Sequence, residues 1–283
     1  MKVIVDSACD LPLSYLQNHE VDVLPLSVIL DDKEYIDKYE ITNEQIYSFI
    51  KEGKHPSTSQ VALEKFDAAF RRLAESKECG IYIALSSNLS GTYQAAVLAY
   101  TQVKEDYPEF DLRLIDSQNA SLGIALMVRE AVQMKEEGFT LDEIEERIHF
   151  MVKHVVSIFT VQDLNYLAEG GRLSKSSAFL GGLLNIHPLL EVVDGRLEPQ
   201  EKLRGRKKVL NKMYSRLEAE AQQIEKQTVL IVHTNEVETV KDMKEYIQEN
   251  IKPAEVIDYP IGAVVSAHTG MGTIGLFYMN EYE

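Results

Sequence analysis

Cysteine is scarce in this chain of 283 residues, positive charge is outnumbered, and long apolar runs are missing. Two cysteines, Cys9 and Cys79, supply neither a disulfide framework nor a metal-ligand cluster. They read as small buried hydrophobes in a reducing compartment. Lysine and arginine number 29 against 45 acidic residues, a formal net charge of −16. A nucleic-acid binder needs a basic face, so that class is set aside, although one local basic cluster stands at Lys202-Leu-Arg-Gly-Arg-Lys-Lys208. No apolar stretch approaches the roughly 20 residues that span a bilayer, so no integral membrane segment is expected. The opening Met1–Asp6 reads as a first strand without a signal-peptide hydrophobic region, and the expected location is cytoplasmic.

Several chemical signatures are absent as well. The seven histidines show no spacing such as H-E-x-x-H, so no metal site is expected. There is no G-x-x-x-x-G-K-[ST] loop, no G-x-G-x-x-G after the first strand and no G-x-S-x-G elbow. No cofactor is implied.

What is present is an alternation of strands and helices. Val3–Val5, Val23–Leu30, Gly80–Leu85 and Leu112–Asp116 are short, aliphatic and β-branched, as buried strands are. Leu63–Ser76, Tyr93–Lys104, Ala125–Glu137 and Leu141–Lys153 carry helical periodicity. The pattern predicts an α/β fold with a largely parallel sheet in its first half. In the second half, Val155–Thr160 reads as a strand and Leu164–Leu167 as a short helix. The segment Ala178–Leu184 follows a glycine turn and closes at Ile186–Val192. Val193-Asp-Gly-Arg-Leu197 has hairpin-turn chemistry. Lys207–Lys226 reads as one long helix, Val237–Glu249 as another, and Val229–His233, Glu255–Asp258 and Gly275–Met279 as strands. Two domains are expected, residues 1–155 and 156–283.

Four segments combine small polar residues with glycine or a helix start: Pro56–Gln60, Ser86–Tyr93, Glu169–Ser174 and His268–Thr273. Backbone N–H groups and hydroxyls at such places can converge on an anion. Ser57-Thr58-Ser59 reads either as capping for the helix starting near Leu63 or as a hydroxyl offered to a ligand. Ser90 reads as an N-cap beside Gly91, as a ligand donor, or as a nucleophile without a readable triad. Arg172, after Gly170-Gly171, reads either as a bidentate anion donor or as a surface arginine paired with Glu169. His268, at an expected strand end, is either a structural hydrogen-bonding residue or a donor at an anionic site. Hydroxyls, one arginine and one histidine among apolar segments suit a ligand with a small anionic head and an apolar body.

These landmarks in order resemble the DegV family over essentially the whole chain. They include Asp6-Ser-Ala-Cys-Asp-Leu11, Thr58-Ser-Gln60, Ser86-Ser-Asn-Leu-Ser-Gly-Thr-Tyr93, Leu164–Ser174, Lys202–Lys208 and His268-Thr-Gly-Met-Gly272. The resemblance implies two α/β domains, the first Rossmann-like, with a long-chain fatty acid buried between or beneath them. It maps the carboxylate contacts onto Thr58, Ser90, Arg172 and His268. Ser59, Gly91, Thr92, Gly170, Gly171 and Thr269 stand in support.

In FakB-type members a partner fatty acid kinase phosphorylates the bound carboxylate to an acyl phosphate that feeds phospholipid synthesis. The resemblance thus implies a non-catalytic carrier with no catalytic residue of its own, and a transient contact with the membrane surface. Met271, Glu169 and His187 depart from residues frequent at those places. The competing reading is a stand-alone phosphotransferase or hydrolase using Ser90 or His268 on a small acidic or lipid substrate. Ile158, Phe159 and Leu180 are candidate lining residues for the chain.

Overall fold

The computed structural model describes residues 1–173 and 186–282. The segment Ala178–Leu184, with the candidate lining residue Leu180, and Ser174 lie outside the described residues. The first half runs β1 (Lys2–Asp6), α1 (Leu13–Asn18), β2 (Asp22–Leu24), β3 (Ser27–Leu30), β4 (Lys33–Ile36), α2 (Asn43–Lys51), β5 (Ser57–Ser59) and α3 (Leu63–Glu75). It continues with β6 (Gly80–Ala84), α4 (Thr92–Asp106), β7 (Leu112–Asp116), α5 (Leu122–Glu137) and α6 (Leu141–His154). The second half contributes β8 (Val155–Thr160), α7 (Leu164–Glu169), β9 (Ile186–Val193), β10 (Arg196–Arg204) and α8 (Arg206–Glu220). It closes with β11 (Thr228–His233), α9 (Val237–Asn250), β12 (Glu255–Pro260), α10 (Ala263–Thr269) and β13 (Ile274–Met279).

Strands β2-β1-β6-β7 form a four-stranded sheet, parallel throughout. All five residues of β6 are buried, which explains its unbroken apolar run: both faces of such a sheet are covered. The predicted single strand Val23–Leu30 is broken in two. Pro25 has no N–H to give a ladder, and the next N–H, that of Leu26, donates to Ser7 Oγ at 3.0 Å. Beyond that point the chain leaves the parallel sheet, and β3 becomes the centre of a small antiparallel sheet, β4-β3-β5.

The other sheet is six-stranded, in the order β10-β9-β8-β13-β11-β12. Only β11 and β12 pair in parallel, joined across α9. The hairpin between β9 and β10 turns at Asp194 and Gly195, both with positive φ (49° and 75°), as Asp-Gly chemistry predicts. The predicted helix Lys207–Lys226 ends early: α8 stops at Glu220, and a separate 3₁₀ turn covers Ile224–Lys226. The basic cluster is split, with Lys202 to Arg204 on β10 and Arg206 to Lys208 opening α8 after Gly205.

Helix α5 joins the two large sheets. It packs against β1 and β6 of the parallel sheet and against β8, β11 and β13 of the mixed one. Leu122 through Val128 are buried without interruption. A helix enclosed by two sheets needs apolar residues all round, not an amphipathic stripe. Among the described residues no helix is long and apolar enough to cross a membrane.

Candidate ligand site

The parallel strands end on polar turns, and the loops that follow them face the mixed sheet. A cavity of about 360 Å³ opens at that junction. Its apolar wall includes Leu85 after β6, Phe159 on β8, Val232 on β11, Phe277 on β13 and Val264 on α10. The place and size suit a small-molecule site in an α/β protein. Phe159 was expected here. Ile158 was expected too, but strand alternation turns it to the opposite face, where it is buried with Val209 and Met213 of α8.

Thr58, Ser90, Arg172 and His268 all line this cavity. They come from β5, the turn before α4, the turn after α7 and the last turn of α10. Thr58 does not cap α3: the N-cap residue is Ala62, without a side-chain hydrogen bond. It lies on β5 opposite Val28, and its Oγ1 meets His268 Nε2 at 2.8 Å. His268 was placed at a strand end by its apolar approach Ala263–Val265. That approach is instead the first turn of a helix starting after Gly262.

Burial and the neighbouring Arg172 guanidinium lower the His268 pKa to about 4, so the ring is neutral at pH 7. Its Nδ1 lies beside the Gly170 backbone, buried and without a well-formed hydrogen bond. Glycine at position 170 gives the ring room: a Cβ there would stand 3.1 Å from Nδ1 and press the imidazole aside.

Arg172 is held by carbonyls. Its Nε donates to Leu89 O at 3.3 Å and its Nη1 to Gly170 O at 2.9 Å. It does not pair with Glu169, whose carboxylate is 3.6 Å from His55 Nδ1. The side chain thus brings a cation to the cavity through neutral contacts, and Gly171, at φ +73°, makes the turn. Ser90 is not the N-cap of α4; that position is Gly91. Its Oγ nevertheless accepts from Thr92 N at 3.2 Å and lies 2.9 Å from Thr92 Oγ1.

Of the supporting residues, Ser59, Gly91 and Thr269 line the cavity, and Thr269 Oγ1 is buried without a hydrogen-bond partner among the described residues. Thr92 lies behind Ser90 and also accepts from Val61 N at 3.4 Å. Gly170 and Gly171 act through the backbone, by clearance for His268 and by the turn that carries Arg172. Sequence reasoning missed Gln60, Ser121, Ser157 and Thr273, which also line the cavity. Gln60 lies so close over Gly91 that a Cβ there would collide with its amide oxygen. Gln60 and Thr273 end two of the flagged segments without having been singled out, and Ser157 shares a face of β8 with Phe159, a signal strand alternation offers; Ser121, before α5, carries no such local mark.

No Ser90–His268 pair of the nucleophile–base kind is formed: Ser90 bonds Thr92, and His268 Nε2 bonds Thr58. Thr58 and His268 do have hydroxyl–imidazole geometry, but no carboxylate orients Nδ1, which leaves that pair short of a triad.

The family model described as "Uncharacterised protein, DegV family" matches residues 1–281. The chain belongs to the DegV family. A DegV domain-containing protein of Clostridium perfringens is 37% identical over 283 residues, covering 99% of this chain and 97% of that protein. A fatty-acid-binding DegV family protein from Thermus thermophilus superposes with a TM-score of 0.90 at 31% identity, covering 98% of this chain and 99% of its own. A stearic acid-binding protein from Eubacterium ventriosum gives a TM-score of 0.89 at 28% identity, covering 98% and 97%. The DegV α/β architecture is therefore this chain's architecture, as the resemblance implies, and its parallel sheet lies in the first half, as the strand and helix pattern predicts.

Proposed function

We propose that this protein binds a long-chain fatty acid, with its carboxylate among Thr58, Ser90, Arg172 and His268 and its acyl chain along Phe159, Val232 and Phe277. The observation that carries this reading is an apolar cavity lined at one place by a cation, a neutral imidazole and two hydroxyls. The fatty-acid binding described for the Thermus and Eubacterium relatives supports it. Burial of the chain supplies affinity at about 0.8 kcal/mol per CH₂. The polar donors offset desolvation of the carboxylate, with Arg172 providing the charge-assisted contact. Ser59 and Thr269 complete the polar rim.

In the same reading the protein is a non-catalytic cytoplasmic carrier that presents the carboxylate to a partner fatty acid kinase. The carboxylate oxygen attacks the terminal phosphorus of ATP, ADP leaves, and the acyl phosphate feeds phospholipid synthesis. No general base is required, because the carboxylate is already deprotonated. The chain divides into residues 1–155 and 156–283, with the ligand between them.

Mass spectrometry of organic extracts from purified protein tests the binding. A fatty acid near one equivalent is expected. Addition of a fatty acid kinase and ATP should convert it to acyl phosphate. An empty extract, together with no acyl phosphate when fatty acid is supplied, would end this reading. Turnover by the isolated chain would favour the enzyme alternative.

A further inference from the structure

The segment Asp6–Leu11 lines the cavity through Ala8 alone, yet another of its residues, Asp10, holds the helix that carries His268. Asp10 is buried, at 4% exposure, in the loop after β1. One carboxylate oxygen, Oδ1, accepts from Gly262 N at 2.9 Å, and the other, Oδ2, accepts from Ser121 Oγ at 2.5 Å. Gly262 is the N-cap residue of α10, and Ser121 is the N-cap residue of α5. A single carboxylate therefore ties together the starts of two helices that are 141 positions apart (262 − 121).

Both attachments are tight. A Cβ at Gly262 would lie 2.5 Å from Asp10 Oδ1, so only glycine admits the contact. Ser121 has φ 55° and ψ −128°, an unfavourable conformation for a residue with a side chain, and its N–H donates to Ala8 O at 3.1 Å. Ser121 itself lines the cavity. Helix α10 has only two turns and lies against α2, α7, β3 and β5, so its register at the first turn sets where His268 stands on the last.

We propose that Asp10 is a positioning residue for the head-group site: by gripping Gly262 and Ser121 it sets α10 so that His268 meets Thr58. It touches no ligand in this arrangement. The inference rests on the fatty-acid reading for its binding assay, and its spectroscopic assay is independent of that reading.

The test compares Asp10→Ala, Asp10→Asn and the unaltered protein on two probes, palmitate and hexadecanol, after delipidation. Asparagine can still accept from Gly262 N and bond Ser121 Oγ; alanine can do neither. Asp10→Ala is expected to weaken palmitate about tenfold while hexadecanol, held mainly by chain burial, changes less than about twofold. Asp10→Asn should restore most of the palmitate affinity. The ¹⁵N signals of the His268 ring should move in Asp10→Ala and return in Asp10→Asn.

Equal losses for both probes would show a merely structural role and overturn the proposal, as would unchanged His268 signals in Asp10→Ala. If Asp10→Ala fails to fold, Gly262→Ala is read by the same two measurements, with the same expected and overturning results. If the unaltered protein binds neither probe, the fatty-acid reading fails, and the His268 signals alone decide the role of Asp10.

Discussion

Thr58 and His268, 210 positions apart in the chain, share a 2.8 Å hydrogen bond at the edge of an apolar cavity. The bond closes the β5 edge onto α10 and satisfies two polar groups that would otherwise face an apolar wall. A carboxylate arriving there must share or replace it, so its affinity is net of that exchange.

Arg172→Ala and Thr58→Val separate charge from hydrogen bonding. Loss of the guanidinium should reduce retained fatty acid by about tenfold or more, because a charge-assisted contact is worth roughly 1.5–3 kcal/mol. Thr58→Val should cost less, nearer 1 kcal/mol. Isothermal titration of delipidated protein with palmitate measures both. Equal affinities for Arg172→Ala and the unaltered protein would remove Arg172 from the site.

His268 has a pH signature with a definite sign. Its pKa falls from 6.5 to about 4 on folding, so between those values the unfolded chain binds the extra proton. Its contribution to stability is fully present above pH 6.5 and is lost as pH falls toward 4, by about 3 kcal/mol at most. Asp6 and Asp10 run the other way. Burial raises each from 3.8 to about 6, so their contribution is lost as pH rises through that window. Urea unfolding of His268→Gln against the unaltered protein from pH 7 to 4 isolates the histidine. The unaltered protein should lose more stability than the variant on acidification.

Neighbouring glycines should respond differently to the same change. Gly171→Ala places a side chain at φ +73° with nothing within 4 Å, so it should cost about 1 kcal/mol of stability and little affinity. Gly170→Ala has an ordinary backbone but crowds His268 Nδ1 at 3.1 Å. It should shift the ring and weaken palmitate binding. Thermal melts and titration on the pair would separate backbone strain from ring displacement.

The hairpin tip is held by side chains of the first half. Ser86 Oγ donates to Gly195 O at 2.8 Å, Asn88 Nδ2 donates to Asp194 O at 2.9 Å, and Arg196 Nη2 donates to Asn88 Oδ1 at 3.0 Å. Val192 and Leu197, which flank this tip, line the cavity. Asn88→Ala should release about 1 kcal/mol and raise amide exchange around residues 192–197 roughly fivefold. Hydrogen-exchange mass spectrometry reads it directly.

Much of the fold was legible because burial and period agree. The β6 run, the turn at Ser86–Thr92 and α4 follow one another as the pattern implies, and Asp194-Gly195 makes the hairpin its chemistry asks for. Helix α10 was not legible: Ala-Val-Val reads as strand, and only the packing of α10 with the Asp10–Gly262 contact makes it helical. Helix α2 was missed although its Thr42–Gln45 capping box is a readable local signal. Four cavity-lining polar residues were found from glycine and hydroxyl clusters. Gln60 and Thr273 stood inside flagged segments but were not picked out, Ser157 was readable from its alternation with Phe159 on β8, and Ser121 had no local signal.

Helix α5 is written in the first half of the sequence, yet it serves as interior for both large sheets. Exchange of the second half between relatives, to transplant a ligand preference, would therefore set new β8, β11 and β13 side chains against an old helix surface. Moving α5 with the mixed sheet only shifts the mismatch to β1 and β6, so a working chimera in this family must keep α5 matched to both sheets at once.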